Sequence, residues 1–396
     1  MDPQSEDIDE PSQQLQATLH DSITRSLSSS NSTRRPLLTH LNADTTWLLS
    51  LPIPPSSATA QRSTSISTSR KRIYFHILID PWLVGPQSDV AAFFSTQWHA
   101  TPSSCQSIAE VEDVIRKIEG AASPSTRAAT RPELKHQETG DVIVVDTDLA
   151  HRAEEEVGVE VEKGKAEEEE EWIDLVVISH EFTDHMHKPT LLTLSPRVPV
   201  LATAKAFSAI SSWKHFTTVR KIERFAGDWR ENGRGEKVLP PWMGVHRVAY
   251  AGNDLLYYHS AVMVSFASGA GEEAEAVLYT PHGISPSDLQ PLTTAEPKIK
   301  VLALLHGLQD ISLEGFWKKA QLNMGAHNGL KVVRMLGVKY WVGTHDEVKK
   351  GGGVVGWFLR RVGIGVEEAL ELEAVQEGKE EVNFVEVGNG ESLVLE

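Results

Sequence analysis

Trp172-Ile173-Asp174-Leu175-Val176-Val177-Ile178-Ser179-His180-Glu181-Phe182-Thr183-Asp184-His185-Met186-His187-Lys188-Pro189 passes within a few residues from an apolar run to a cluster of ligand-type side chains. The segment Ile173 to Ile178 is rich in β-branched residues and almost wholly apolar, the pattern of a strand covered on both faces. Polar chemistry begins where that strand ends. His180, Asp184, His185 and His187 crowd one turn, which Pro189 closes into a short helix, since proline suits the first helical turn. Such a cluster at the carboxyl end of a buried strand suggests a site.

Working outward, the same alternation recurs on both sides. Leu37 to Leu49 has strand-like apolar spacing, and a Ser/Thr/Pro-rich connector, Pro52 to Arg70, follows it. Arg72 to Ile79 is a second strong strand that stops at Asp80-Pro81. Ile108, Val111, Val114, Ile115 and Ile118 mark one face of a helix over 107–121. Beyond the opening stretch, Val198 to Ala202 reads as a strand and Lys205 to His215 as a helix. Strands are then expected at 245–250, 255–258, 259–266, 276–279 and 300–305, with a helix at 330–336. Val338 to Gly343 is a last apolar strand, and it delivers Thr344-His345-Asp346-Glu347 at its exit. Gly351-Gly352-Gly353 is read as a flexible cap before a helix over 354–362, because it lacks the spacing of a phosphate-binding loop. Alternating periods of 2 and 3.6 favour a layered α/β architecture of two packed sheets with helices outside.

Residues 1–36 are Ser-, Gln- and Asp-rich and are expected to form a disordered arm. Residues 37–396 then make one domain, interrupted at about 122–171 by an acidic insertion in which Glu154–Glu156 and Glu167–Glu171 form solvated blocks. Hydrophobic residues make up 40% of the 396, enough for a substantial core. Cys105 is the single cysteine, which excludes an intramolecular disulfide framework and multi-thiolate zinc sites and favours a reducing compartment. Met1 to Asp7 is acidic rather than signal-like, and no apolar run is long enough to span a membrane, so a cytoplasmic location and no membrane partner are expected. A formal charge of -17 argues against nucleic acid as partner or substrate.

The informative histidines sit just beyond apolar strands: His180, His185, His259, His282 and His345, with Asp184 among them. Imidazole and carboxylate form the ligand set of zinc, iron or manganese. One histidine at a strand end is commonly hydrogen-bonded structure; five in equivalent places point to a metal.

His180-x-Phe182-x-Asp184-His185 resembles the His-x-His-x-Asp-His signature of the metallo-β-lactamase superfamily. The Leu41-Asn-Ala-Asp-Thr-Thr-Trp47 segment, the Ile79-Asp80-Pro81 turn and the order of the later histidines fit that family's layout. In particular the chain looks like divergent fungal members of unassigned substrate, which carry Ser-His-x-Phe-Thr-Asp-His, Pro-His-Gly and Gly-Thr-His-Asp-Glu in this order. Here these are Ser179–His185, Pro281–Gly283 and Gly343–Glu347. The resemblance implies a four-layer αββα sandwich of two mixed sheets with a metal site at one edge. It places His180 and His259 at a first metal position, and Asp184, His185 and His345 at a second.

Two departures bear on that site. Phe182 stands where the family has a histidine, and His282 where an aspartate bridges two ions, which one imidazole lone pair does not do. One ion is therefore expected, zinc foremost, with iron or manganese open. Asp184, His185 and His345 would be its ligands, and His282 a fourth or a partner of a ligand. His180 and His259 are then available, with Asp184, for orienting substrate and exchanging protons. Asp80 is expected to hold a ligand histidine or cap its turn. His187, His306 and His327 are read as structural. The function implied is a metal-dependent hydrolase of a small ester, lactone, thioester or phosphodiester using a metal-bound hydroxide. The alternatives are a catalytically inactive binding or scaffold module on the same fold, and oxidation chemistry with iron.

Overall fold

The computed structural model describes residues 9–29, 34–55, 72–88, 96–123, 171–231, 238–249, 259–267, 269, 272–314, 319–352, 359–374 and 382–396. In chain order the strands are β1 (Leu37–His40), β2 (Trp47–Pro52), β3 (Tyr74–Ile79), β4 (Thr96–Trp98), β5 (Leu175–Ile178), β6 (Val200–Ala202), β7 (Val219–Lys221), β8 (Met243–Ala249) and β9 (Ser260–Ala267). They continue as β10 (Ala274–Thr280), β11 (Ile299–His306), β12 (Gln309–Glu314), β13 (Lys319–Asn323), β14 (Tyr340–Val342), β15 (Lys350–Gly352), β16 (Leu359–Gly363), β17 (Phe384–Val385) and β18 (Ser392–Val394). The α-helices are α1 (Asp9–Ser29), α2 (Ile108–Ala122), α3 (Lys188–Leu191), α4 (Ala204–Trp213), α5 (Gln290–Thr293), α6 (Ala326–Leu336) and α7 (Val366–Ala374).

Two mixed sheets form the centre. The first runs β18-β1-β2-β3-β5-β6-β7, antiparallel from β18 to β3 and parallel from β3 to β7. The second runs β17-β14-β11-β10-β9-β8, parallel as far as β10 and antiparallel beyond it. Alternation along the strands sets the layers, because successive side chains point to opposite faces. Leu175 and Val177 of β5, with Ile77 and Ile79 of β3, join Val262, Val264, Val277 and Leu305 in the core between the sheets. Val176 and Ile178, with Leu48 and Leu78, turn the other way and pack with Val111, Ile115 and Ile118 of α2 and Ile210 of α4. On the far side Met263, Leu278 and Leu304 pack against Leu330 and Val333 of α6 and Ala369 of α7. The result is a four-layer αββα sandwich of two mixed sheets.

The stretch 37–49, read as one strand-like run, is two antiparallel strands, β1 and β2, and two further expectations differ from this structure. Residues 9–29, read as part of a disordered arm, form α1, and Leu19, Ile23 and Leu27 are buried at intervals of four against the first sheet's helical layer. That spacing puts them on one helical face, and Ser26 Oγ and Ser22 Oγ bond the backbone of Ser392 in β18 at 2.9 Å each. The helix expected over 354–362 is contradicted at its end, where residues 359–363 are strand β16 paired with β12. The acidic insertion and its single apolar run at 142–145 fall almost wholly outside the described residues. Among the described residues, no helix is long and apolar enough to cross a membrane.

Candidate metal centre

Every residue of the site lies at the end of a core strand or in a turn between two of them. β3 ends one residue before Asp80, β5 two before His180, β10 two before His282 and β14 three before His345. The β1–β2 connection supplies Asp44. In a sheet with parallel strands, their carboxyl ends open onto one edge and form a natural crevice.

The segment 179–185 is held from below by Asp80. Its Oδ1 accepts the Ser179 amide at 2.7 Å, and its Oδ2 accepts the Ser179 hydroxyl and His185 Nδ1, the latter at 2.7 Å. His185 thus keeps its Nδ1 hydrogen on a carboxylate and turns Nε2 inward. Burial alone would lower its pKa, but Asp184 and Asp80 raise it above the ordinary value. His345 is oriented in the same manner by Asp44, with Nδ1 3.0 Å from Oδ1 and the His345 amide donating to the Asp44 carbonyl at 2.9 Å. Carboxylate–imidazole pairs of this type fix the tautomer of metal-binding histidines. Asp80 and His345 both adopt positive φ, 45° and 59°, a conformation that non-glycine residues hold only where the surroundings impose it.

The inward nitrogens converge. One ligand atom from each of His185, His282 and His345 lies within 4.8 Å of the others. His185 Nε2 and His282 Nε2 are 3.3 Å apart. Ligand nitrogens ~2.0–2.1 Å from a tetrahedral zinc stand about 3.3–3.4 Å from each other, so this pair has the spacing of two ligands. Burial, and then the neighbouring imidazoles, push His282 well below the ordinary histidine pKa, leaving it neutral with a lone pair to donate. The donor set therefore fits a borderline divalent cation.

Asp44, Asp184 and His345 form a second group, likewise within 4.8 Å of one another. Here a cation is built in. Lys349 Nζ bonds Asp184 Oδ2 at 2.7 Å and Asp44 Oδ2 at 2.8 Å, and it lies 5.4 Å from the centre of the Trp82 ring. Burial opposes all three charges, yet the ammonium holds both carboxylates well below their usual range and they in turn raise the lysine. Asp184 Oδ1 has no hydrogen-bond partner among the described residues and is 3.7 Å from His185 Nε2.

Of the residues singled out from sequence, His185, His282 and His345 come together, with Asp184 beside them and Asp80 beneath. Asp184 groups with His345, as the sequence grouped it, and with Asp44, while His185 belongs to the other trio and lies 3.7 Å from Asp184 Oδ1. His180 borders the centre: its ring stacks on Phe182 at 4.3 Å and meets His282 edge-on at 4.9 Å. His259 directs Nδ1 to the His282 carbonyl at 3.2 Å and is in neither converging group. His187 bonds Thr190 Oγ1 and Pro86, and His306 bonds Asn328 Oδ1 and Gly307. His327 lies on α6 and belongs to neither group.

Asp44 and Lys349 were missed. Asn42 carries the one local signal for Asp44, since its Oδ1 accepts the amides of Asp44 and Thr46 at 2.9 and 3.0 Å in a turn of the Asx type. The remaining residues of the 343–347 motif brace it. Thr344 Oγ1 receives the Trp47 indole, Asp346 receives the amides of Leu308 and Gln309, and Glu347 receives those of Ala100 and Thr101 and pairs with His99.

No protein-family model matches the chain, and no curated protein does. Among solved structures it is similar to a possible metal-dependent hydrolase from Veillonella parvula DSM 2008, at 11% identity over 91% of this chain and 100% of that one, with a TM-score of 0.46. It is similar to an isothiocyanate hydrolase from Delia radicum gut bacteria at 11% identity over 91% and 99%, TM-score 0.45. A third is the metallo-beta-lactamase fold protein YhfI from Bacillus subtilis, at 10% identity over 91% and 99%, TM-score 0.39.

Proposed function

We propose that this chain is a metal-dependent hydrolase working with one divalent ion, zinc foremost, held by His185, His282 and His345. The observation that carries the reading is the 3.3 Å approach of two buried imidazole nitrogens, His185 Nε2 and His282 Nε2, with His185 and His345 each oriented by a carboxylate. Two lone pairs at that distance repel unless a proton or a cation lies between them. A divalent ion there would polarise the substrate and supply an activated water near neutral pH.

The chain's own groups then have distinct tasks. Asp184 remains ionised, with Oδ2 fixed by Lys349 and Oδ1 turned toward the imidazoles; it is placed to orient a nucleophile or take its proton. His180, at the rim and kept neutral by burial, is placed to donate to or accept from a substrate's polar group. Substrates proposed are small esters, lactones, thioesters or phosphodiesters, acted on in the cytoplasm.

One observation favours a second reading, a binding module without catalysis: the Phe182 ring lies against His180 and 6.1 Å from His282, covering part of the approach. Metal analysis of the purified chain, followed by a panel of chromogenic substrates of the four classes, separates the two. Bound metal with turnover that His185→Ala abolishes supports the hydrolase; bound metal with uniform inactivity turns the assignment to the binding module; metal-free folded protein rejects the hydrolase and leaves a module that works without metal.

A further inference from the structure

Chain inversion at residues 348–349 is the observation to explain. Val348 is exposed, whereas the Lys349 side chain is only 5% exposed. Lysine is almost never buried unless paired, and here it is paired twice, at 2.7 and 2.8 Å, with two carboxylates that are themselves buried. Those carboxylates and His345 already have the spacing of a metal-binding trio. Without the ammonium, Asp44 and Asp184 would be two buried anions facing each other, and such a pair recruits a cation.

We infer that the Lys349 ammonium takes the place of a second divalent ion, so that the centre binds a single metal at the imidazole trio and excludes another from Asp44 and Asp184. The inference rests on the proposed metal centre and extends it. It differs from the argument based on Phe182 and His282, which concerns missing ligands. Here the ligands are present and their cation is covalently part of the chain. The charge balance is consistent: two carboxylates meet one ammonium, and the remaining negative charge faces the imidazoles. Trp82, with the ammonium 5.4 Å from its ring centre, adds a further cation-stabilising face.

The test is the zinc stoichiometry of the full chain, stripped with a chelator and titrated with zinc. The wild type should bind one ion per chain, Lys349→Arg one and Lys349→Met two, the second lost again in Lys349→Met with Asp44→Asn. A wild type that binds two ions, or a folded Lys349→Met that still binds one, overturns the inference while leaving the metal centre intact. A wild type that binds none overturns the metal centre itself, and the inference with it. Because Lys349→Met leaves two buried carboxylates uncompensated before metal is added, reductive methylation of the wild type supplies an independent reading. Lys349 should stay unmodified with and without saturating zinc; methylation that appears only at saturating zinc would mean that a second ion displaces the ammonium, and would overturn the inference.

Discussion

His345 joins two clusters that balance charge in different ways. On one side, the His185 and His282 ring nitrogens meet at 3.3 Å, a separation that a shared proton or a bound ion bridges. On the other, Asp44 and Asp184 enclose the ammonium of Lys349. Both groups are buried and both are built from ligand-type residues, yet the first takes an added ion in the function we propose, whereas the second already holds the chain's own ammonium. The difference shows that ligand residues alone do not define a metal position; what fills the space between them decides it.

Removing an imidazole should break the first cluster most severely. His185→Ala deletes a donor and leaves Asp80, which is fully buried, without its imidazole partner. Loss of zinc affinity should exceed the roughly 10–100-fold that removal of an outer partner costs, measured by competition with a chromogenic chelator. An unchanged affinity would move the metal site elsewhere.

The second cluster should break through stability. Lys349→Met leaves two buried carboxylates without their cation, and breaking a buried pair costs about 3–5 kcal/mol, read as a lower midpoint in denaturant in the absence of metal. The pH dependence has a definite sign. The carboxylates are depressed from 3.8, so their contribution is present above that value and is lost as pH falls below it; Lys349 is raised from 10.5, so its contribution is present below that value and is lost as pH rises above it. The gap in stability between wild type and variant should therefore be widest between these limits and close at both ends. A constant gap across the range would show that packing, not charge, holds Lys349.

Asp80→Asn tests the support of the first cluster with less force. The amide keeps an acceptor for the Ser179 amide but no longer matches the imidazole hydrogen with a full charge, so zinc affinity should fall by about 10–100-fold while the protein stays folded. Equal affinities would reduce Asp80 to a turn residue.

What was legible in the sequence follows the same division. The imidazole cluster could be found because each of its members, with Asp80 and Asp184, sits just past an apolar strand, and strand ends are visible in hydrophobic patterning. Asp44 was hidden in the 41–46 turn, where the spacing reads as one continuous strand although the chain reverses between β1 and β2. Lys349 was hidden because a lysine beside Lys350 and a glycine run has the composition of a surface turn, and its burial depends on a partner from the opposite end of the chain. α1 was missed for a related reason: Leu19, Ile23 and Leu27 form a narrow apolar stripe in a Ser- and Gln-rich setting, and it becomes a core face only once β18 and α2 are beside it.

The smallest effects should come from two glycines next to the proposed ligand histidines, and they sharpen the contrast between the clusters. Gly283, which follows His282, has φ +81°, and a Cβ there would stand 2.6 Å from Met324 Cβ and 3.1 Å from the Met324 carbonyl. Gly283→Ala is strained in its backbone and blocked by a neighbour, so it should cost about 1–3 kcal/mol and weaken zinc binding by shifting His282. Gly343, two residues before His345, has no such conformation, and a Cβ there would meet the Phe384 ring edge at 3.3 Å, a contact that a small movement of the ring relieves. Gly343→Ala should lower stability by less than about 1 kcal/mol, within the usual range for a site without special backbone geometry, and leave zinc affinity unchanged. If both variants lost zinc equally, the two histidines would be equally sensitive to their own turns; the structure instead ties His345 to Asp44 through both its ring and its amide, and that double anchor is why its turn should tolerate the change.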